Sequence, residues 1–167
     1  MRCKALLNAG LAVVLACALG ACGSVVSREF RKEAEPAVAP EALFQTPDAY
    51  QGRLVILGGE ILSGRNTREA TFIEVLSKPL DSRDRPKETD TTFGRFLVEY
   101  PGYLETAIYK PGREVTVAGR VLGTTKAVID QREYTLPLIA PREIHLVESN
   151  GRWPGGVSIG IGVGAGF

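Results

Sequence analysis

From Arg53 to Glu148 apolar and polar residues alternate with a period of two, in stretches broken by Gly, Pro, Asn and Asp. Side chains on a strand point to opposite faces in turn, so this pattern builds a half-buried sheet and does not suit a helix. Five stretches carry it. "RLVILGGEILS" opens at Arg53, with Gly58-Gly59 expected to mark a bulge or sharp bend. Thr71 to Ser77 follows a polar turn near Asn66. "GRFLVEYPG" places Phe96, Val98 and Tyr100 on one face, and "PGREVTVAGRVLGTTKAVID" does the same for Val115, Val117, Gly119 and Val121. "REYTLPLIAPREIHLVE" is the fifth, its two prolines confining parts of it to an edge or a bulge. Long, bent first and fourth strands predict a mainly β domain over 41–148. The expected form is a small five-stranded antiparallel OB-like barrel, with a short antiparallel sandwich as the alternative. Ahead of it, "PEALFQTPDAYQG" predicts one short N-terminal helix starting at Pro40, ended by Pro47, and a turn at Gly52.

The N-terminus has a different character. Arg2 and Lys4 precede Ala5 to Leu19, a run of mostly Ala, Leu, Val and Gly. Such a run is short for a membrane span, which takes roughly 20 apolar residues, and it fits the apolar region of an export signal. It ends in "LGAC", Leu19, Gly20, Ala21 and Cys22, which resembles the lipobox of bacterial lipoproteins. That resemblance implies cleavage between Ala21 and Cys22, and a diacylglycerol and an amide-linked acyl chain such as palmitate on Cys22. A competing "VLAC" ending at Cys17 has bulky Leu15 where a small residue is preferred. Residues 1–21 are therefore read as signal peptide. Of the three cysteines, Cys3 and Cys17 leave with it, so no internal disulfide is available to the mature chain.

Removing Arg2 and Lys4 leaves 18 basic against 19 acidic residues, from 20 and 19 in the whole chain. No basic excess is available to neutralise phosphates, which argues against a nucleic-acid partner. Residues 22–40, "CGSVVSREFRKEAEPAVAP", have mixed charge and end in small residues and Pro. They read as a lipidated tether, with at most a helical turn in "REFRKEAE". Residues 149–167 form a Gly-rich tail, "GGVSIGIGVGAGF" at its end, open to three readings: a flexible segment, an added edge strand, or a membrane- or partner-contacting segment. It lacks the Lys-Ser/Thr and the helix of a phosphate loop.

Candidate chemistry is sparse. His145, the only histidine, lies in a strand pattern without the further ligands that a metal site needs. Asp81, Asp84, Glu88 and Asp90 crowd the polar loop 78–94, but Arg83, Arg85 and Lys87 interleave, so solvated ion pairs are expected rather than a calcium loop. That loop is long enough to serve as a contact surface for an envelope protein or a glycan. No Ser nucleophile elbow occurs, so no catalytic residue, cofactor or metal is assigned, and a hydrolase is the least favoured reading.

The segments "SREFRKEAEPAV", "PDAYQGRLVILGGEIL", "PLDSRDRP", "GRFLVEYPGYLE", "YKPGREVTVAGRVLG" and "IAPREIHLV", in this order behind a lipobox, resemble the Slp family of starvation-inducible outer-membrane lipoproteins of Gram-negative bacteria. The resemblance runs from about Cys22 to Val147. It implies a non-enzymatic lipoprotein of the Gram-negative envelope, linked to starvation or stress response. The membrane would be its partner through the lipid on Cys22, with the barrel facing the periplasm. Gly23, rather than Asp, follows the Cys, which suits transfer to the outer membrane. The Gly-rich tail departs from the family's aromatic, Pro-rich ending.

Overall fold

The computed structural model describes residues 24–129 and 131–148. Five strands run β1 (Leu54–Asn66), β2 (Ala70–Ser77), β3 (Gly94–Pro101), β4 (Glu114–Ile129) and β5 (Arg132–Val147), preceded by two short helices, α1 (Arg28–Glu33) and α2 (Pro40–Gln45), and a 3-10 turn (Pro47–Tyr50). The strands close into a barrel in the order β1-β2-β3-β5-β4. Every pair is antiparallel except β3 with β5, which closes the ring in parallel through Leu97 opposite Leu138 and Val98 opposite Ile139. This is the expected OB arrangement.

The period-two pattern fills the interior. Val55, Leu57, Ile61, Ile73, Val75, Phe96, Val98, Val115, Val117, Val121 and Ile139 form one core. Leu43 of α2 joins it fully buried, and the neighbouring Phe44 ring meets Phe96 edge-on at 6.4 Å. Pro40 stands in the first turn of α2, as expected from its fixed φ and missing N–H. The turn between β1 and β2 is organised by Thr67, whose hydroxyl oxygen accepts from the backbone N–H of Glu69 and Ala70.

Gly58-Gly59 plays a different part from the one expected. The register shift of β1 against β2 falls between Ile61 and Ser63, at Leu62. The glycines instead allow close approach. Gly59 pairs with Ser77 on one side and Val115 on the other, and a Cβ on it would lie 1.8 Å from the Leu76 carbonyl oxygen. A Cβ on Gly58 would lie 2.8 Å from Leu80 of the 78–94 loop, which sits against this strand. The prolines of β5 fall where the pattern allows them. Pro141 faces Gly119 beside a register shift, and Pro137 pairs only with β4, just before the short contact with β3.

The segment read as a tether departs from that expectation. Val26, Phe30 and Ala34, spaced four apart along one helical face, are 1%, 2% and 8% exposed. They pack with Leu54, Ile56 and Ala118, the positions alternating with inward-facing Val55, Leu57 and Val117. Residues 25–34 thus form a second, outer apolar layer over β1 and β4, and "LVIL" in β1 is a continuous apolar run because both its faces are covered. The register shift between Ala118 and Gly119 leaves Arg142 as the extra residue on β5, and Arg142 stacks on the Phe30 ring and pairs with Glu33 of α1 at 2.7 Å.

Phe30→Ala is expected to cost about 3 kcal/mol in urea unfolding, in the range for emptying a packed aromatic site; an unaltered midpoint would mean that residues 25–34 hang free. Gly59→Ala is expected to cost about 3 kcal/mol or more, because backbone on the neighbouring strand must move. Gly64→Ala, whose Cβ would come no nearer than 3.4 Å to any atom, is expected to change stability by about 0.5 kcal/mol or less.

Candidate functional site at the N-terminal junction

The lipobox, Leu19, Gly20, Ala21 and Cys22, and the tail 149–167 lie outside the described residues. At Ser24 the chain is already fixed to the barrel. The Val25 N–H donates to the Arg83 carbonyl at 3.0 Å. The Ser24 hydroxyl donates to Asp84 Oδ2 at 2.5 Å, and the Val26 N–H reaches the same oxygen at 3.3 Å. The Arg31 guanidinium, one turn into α1, ion-pairs with Asp84 as well. Asp84 is 6% exposed, with φ at 63°, and its carbonyl accepts the Thr116 hydroxyl of β4 at 2.6 Å. A buried carboxylate is costly unless paired and hydrogen-bonded; here three separate donors from the N-terminal segment surround it.

Three residues on, a second clamp repeats the arrangement. Ser27 caps α1 by accepting the Phe30 N–H on its hydroxyl oxygen at 3.2 Å. The same hydroxyl donates to Glu143 Oε1, and the Ser27 N–H donates to Glu143 Oε2 at 3.0 Å. Burial pushes the Glu143 carboxyl up, but the two Ser27 hydrogen bonds and the His145 contact together outweigh it and hold it below the usual carboxylate range.

The four acidic residues of the 78–94 loop do not form one site. Asp84 is the buried clamp, which corrects its reading as a solvated ion pair. Asp81 takes the backbone N–H groups of Arg83 and Arg85 on Oδ1 at 2.8 and 2.9 Å, and those bonds, the Arg85 one foremost, hold its carboxyl low against the opposing effect of desolvation. Glu88 and Asp90 lie on the exposed outer part of the loop. The loop's inner part is fastened by a bridge between Leu80 and Pro86 and by the Lys87 N–H donating to the Pro79 carbonyl at 2.8 Å. At its root, Lys78 stands between Glu60 at 3.4 Å and Glu114 at 3.8 Å. Burial pushes Glu114 up, with Glu88 and Glu60 adding to it and Lys78 opposing.

His145 Nε2 lies 3.2 Å from Glu143 Oε2. With Ser27 this makes a serine, a glutamate and a histidine in a row, but in the wrong order for hydrolysis. A catalytic histidine must touch the nucleophile while the acid orients it from behind; here Glu143 stands between them and itself accepts the Ser27 hydroxyl's hydrogen bond. Among the described residues no three His, Cys, Asp or Glu side chains converge as metal ligands, and no helix is long and apolar enough to cross a membrane.

The pairing of Arg31 with Asp84 and of Ser27 with Glu143 was not foreseen from the sequence. The one local signal was the four-residue spacing of Val26, Phe30 and Ala34, an apolar stripe in a segment otherwise full of charge.

The chain matches the outer membrane lipoprotein Slp family over residues 19–154. It belongs to that family. The expected kinship and outer-membrane lipoprotein character therefore hold. Curated relatives include an uncharacterized protein of Haemophilus influenzae, 38% identical over 88 residues, covering 52% of this chain and 48% of the relative. The uncharacterized lipoprotein YeaY of Escherichia coli is 28% identical over 92 residues, covering 55% and 47%. Outer membrane protein Slp of the same organism is 26% identical over 118 residues, covering 70% and 62%. The chain thus spans about half to three-fifths of the length of the curated relatives it matches. Among solved structures, the small single-stranded DNA-binding protein of Streptomyces coelicolor aligns with TM-score 0.38 and 15% identity, over 57% of this chain and 94% of that one. The mitochondrial single-stranded DNA-binding protein Rim1 of S. cerevisiae aligns with TM-score 0.36 and 14% identity, over 59% and 97%. The architecture of this Slp-family chain rests on its own strand order and closure, not on likenesses at that level.

The low Glu143 carboxyl gives a pH dependence of known sign. A carboxyl whose folded pKa lies below its unfolded value contributes stability above the unfolded value, and loses it as pH falls through the folded one. Glu114, pushed the other way, contributes the opposite slope, so the comparison is between wild type and Glu143→Gln. The variant is expected to lose about 1.5–3 kcal/mol at neutral pH, the range for a hydrogen bond to a charged group. The gap is expected to narrow below the ordinary carboxyl value of 4.5, as read by urea unfolding at a series of pH values.

Proposed function

We propose that this Slp-family protein is a non-enzymatic component of the outer membrane, anchored by acyl chains on Cys22, with its barrel facing the periplasm and its production tied to starvation or stress. The observation that carries the anchor is the run Leu19, Gly20, Ala21, Cys22 behind a positive head and an apolar stretch, at the start of the segment that matches the family. The signal would be cut between Ala21 and Cys22. A single acyl chain gives marginal, reversible membrane binding, and two or more make it stable, which suits a protein whose described residues contain no other membrane-crossing element of helical type. The reading as non-enzymatic is supported by the order of Ser27, Glu143 and His145, in which the carboxylate and not the histidine meets the serine hydroxyl. A contact with a glycan or an envelope protein through the 78–94 loop would draw on its exposed residues Lys87, Glu88 and Asp90, since Leu80, Asp84 and Pro86 are packed on the barrel.

Cys22→Ser is the deciding variant. Wild type is expected to incorporate labelled palmitate, to run at the size of the processed chain and to fractionate with the outer membrane. The variant is expected to remain unlabelled and unprocessed. A variant that labels and fractionates like wild type would remove Cys22 from the anchor.

A further inference from the structure

The attachment residue and the first clamped residue are almost neighbours. Only Gly23 lies between Cys22 and Ser24, so at 3.8 Å per Cα step their Cα atoms are at most about 7 Å apart. From Ser24 onward the chain has no slack. Ser24 is held by Asp84, Val25 by the Arg83 carbonyl, Val26 is 1% exposed and Ser27 is held by Glu143. The headgroup layer on each side of a bilayer is about 5–8 Å deep. A chain acylated at Cys22 therefore cannot lift this part of the barrel clear of the headgroups without breaking the clamp.

The surface concerned is the 81–85 turn with the start of α1. Its exposed residues are Ser82, Arg83, Arg28 and Glu29. Of its three carboxylates, Asp81 is engaged by backbone N–H groups of its own turn and Asp84 by Ser24, Val26 and Arg31, while Glu29 at the start of α1 is exposed. The exposed charges of this surface are mixed, so what brings it to the lipid is the one-residue spacing between Cys22 and the clamped Ser24.

We infer that the barrel is held directly against the phospholipid headgroup layer through its 81–85 turn and the start of α1, not carried on a flexible stalk. This rests on acylation of Cys22.

The test uses the full lipoprotein, purified from membranes and placed in vesicles of phosphatidylethanolamine and phosphatidylglycerol that carry a headgroup-linked quencher. With Cys22 acylated, a cysteine introduced by Ser82→Cys or, separately, Val128→Cys is the only free thiol of the mature chain and takes a fluorophore. Val128 is 75% exposed and lies at the far end of β4 from Thr116, which touches Asp84. The label at position 82 is expected to be quenched several-fold more than the label at 128. Inserting a Gly/Ser segment of fifteen or so residues between Gly23 and Ser24, long enough to span a few tens of ångströms, is expected to bring the position-82 label down to the level of the other while leaving the acyl mass intact. Equal quenching of the two labels on an acylated protein would overturn the inference and leave the anchor standing. So would quenching at 82 that persists with the inserted segment. Intact mass without acyl chains on Cys22 would instead remove the anchor reading on which the inference rests.

Discussion

Everything else in the molecule hangs on the sharing of β1 between two neighbours. Residues 54–60 pair with β4 and residues 59–66 pair with β2, so at Gly59 and Glu60 the strand serves both at once. A barrel this small has to coil its strands tightly to close, and at Gly59 the Leu76 carbonyl comes so near that a Cβ has no room. Closure in turn decides the core. With the ring closed, the inward residues of β1 meet those of β4, β2 and β3 in one cluster of branched and aromatic side chains. Its outward residues, Leu54 and Ile56, stay apolar and need a cover of their own.

That cover is the N-terminal segment, and polar contacts at its two ends fix where it lies. A helix of six residues is too short to be stable alone. It persists because Phe30 is buried between the barrel and Arg142, and because Asp84 and Glu143 hold its entry from either side. Each carboxylate would be expensive to bury alone. Each is offset by backbone N–H and hydroxyl donors that themselves have no partner within so short a helix. The exchange is mutual: the helix start supplies donors that the barrel's carboxylates need, and the carboxylates fix the register of a segment with little apolar area. The consequence is that the chain belongs to the folded domain from Ser24 onward.

How far the sequence revealed this depended on the range of each interaction. Strands β2 to β5 were legible within a few residues of their ends, since inward positions such as Phe96, Val98, Val115 and Val117 recur every second residue and need only local reading. The turn at Thr67 and the start of α2 at Pro40 were legible for the same reason. The role of Gly58-Gly59 was half legible: two glycines announce close approach or bending, but the approaching atom is on β2, and the true register shift at Leu62 carries no glycine at all. The outer layer was missed because its decisive contacts join Ser24 to Asp84, 60 residues away, and Ser27 to Glu143, 116 residues away. Charge patterns that look like a solvated face when read locally are indistinguishable from one half of a buried pair. Asp84 shows this most plainly, since its neighbours Arg83 and Arg85 suggest nearby partners while its actual cation, Arg31, stands on another element.

Three of the segments that carry the likeness to the Slp family gain a common explanation in this light. "SREFRKEAEPAV" contributes Ser27, Phe30, Arg31 and Glu33; "PLDSRDRP" contributes Asp81 and Asp84; "IAPREIHLV" contributes Arg142, Glu143 and His145. Read separately they are a tether, a polar loop and an edge strand, with nothing in common but charge. In the folded chain they meet: Arg31 on Asp84, Ser27 on Glu143, Arg142 on Phe30 and Glu33, and Glu143 beside His145. A charge-rich motif with a serine, a glutamate and a histidine invites a search for catalysis. Here its charges are spent on fastening the chain's entry to a closed barrel, on the side from which the N-terminal segment leaves.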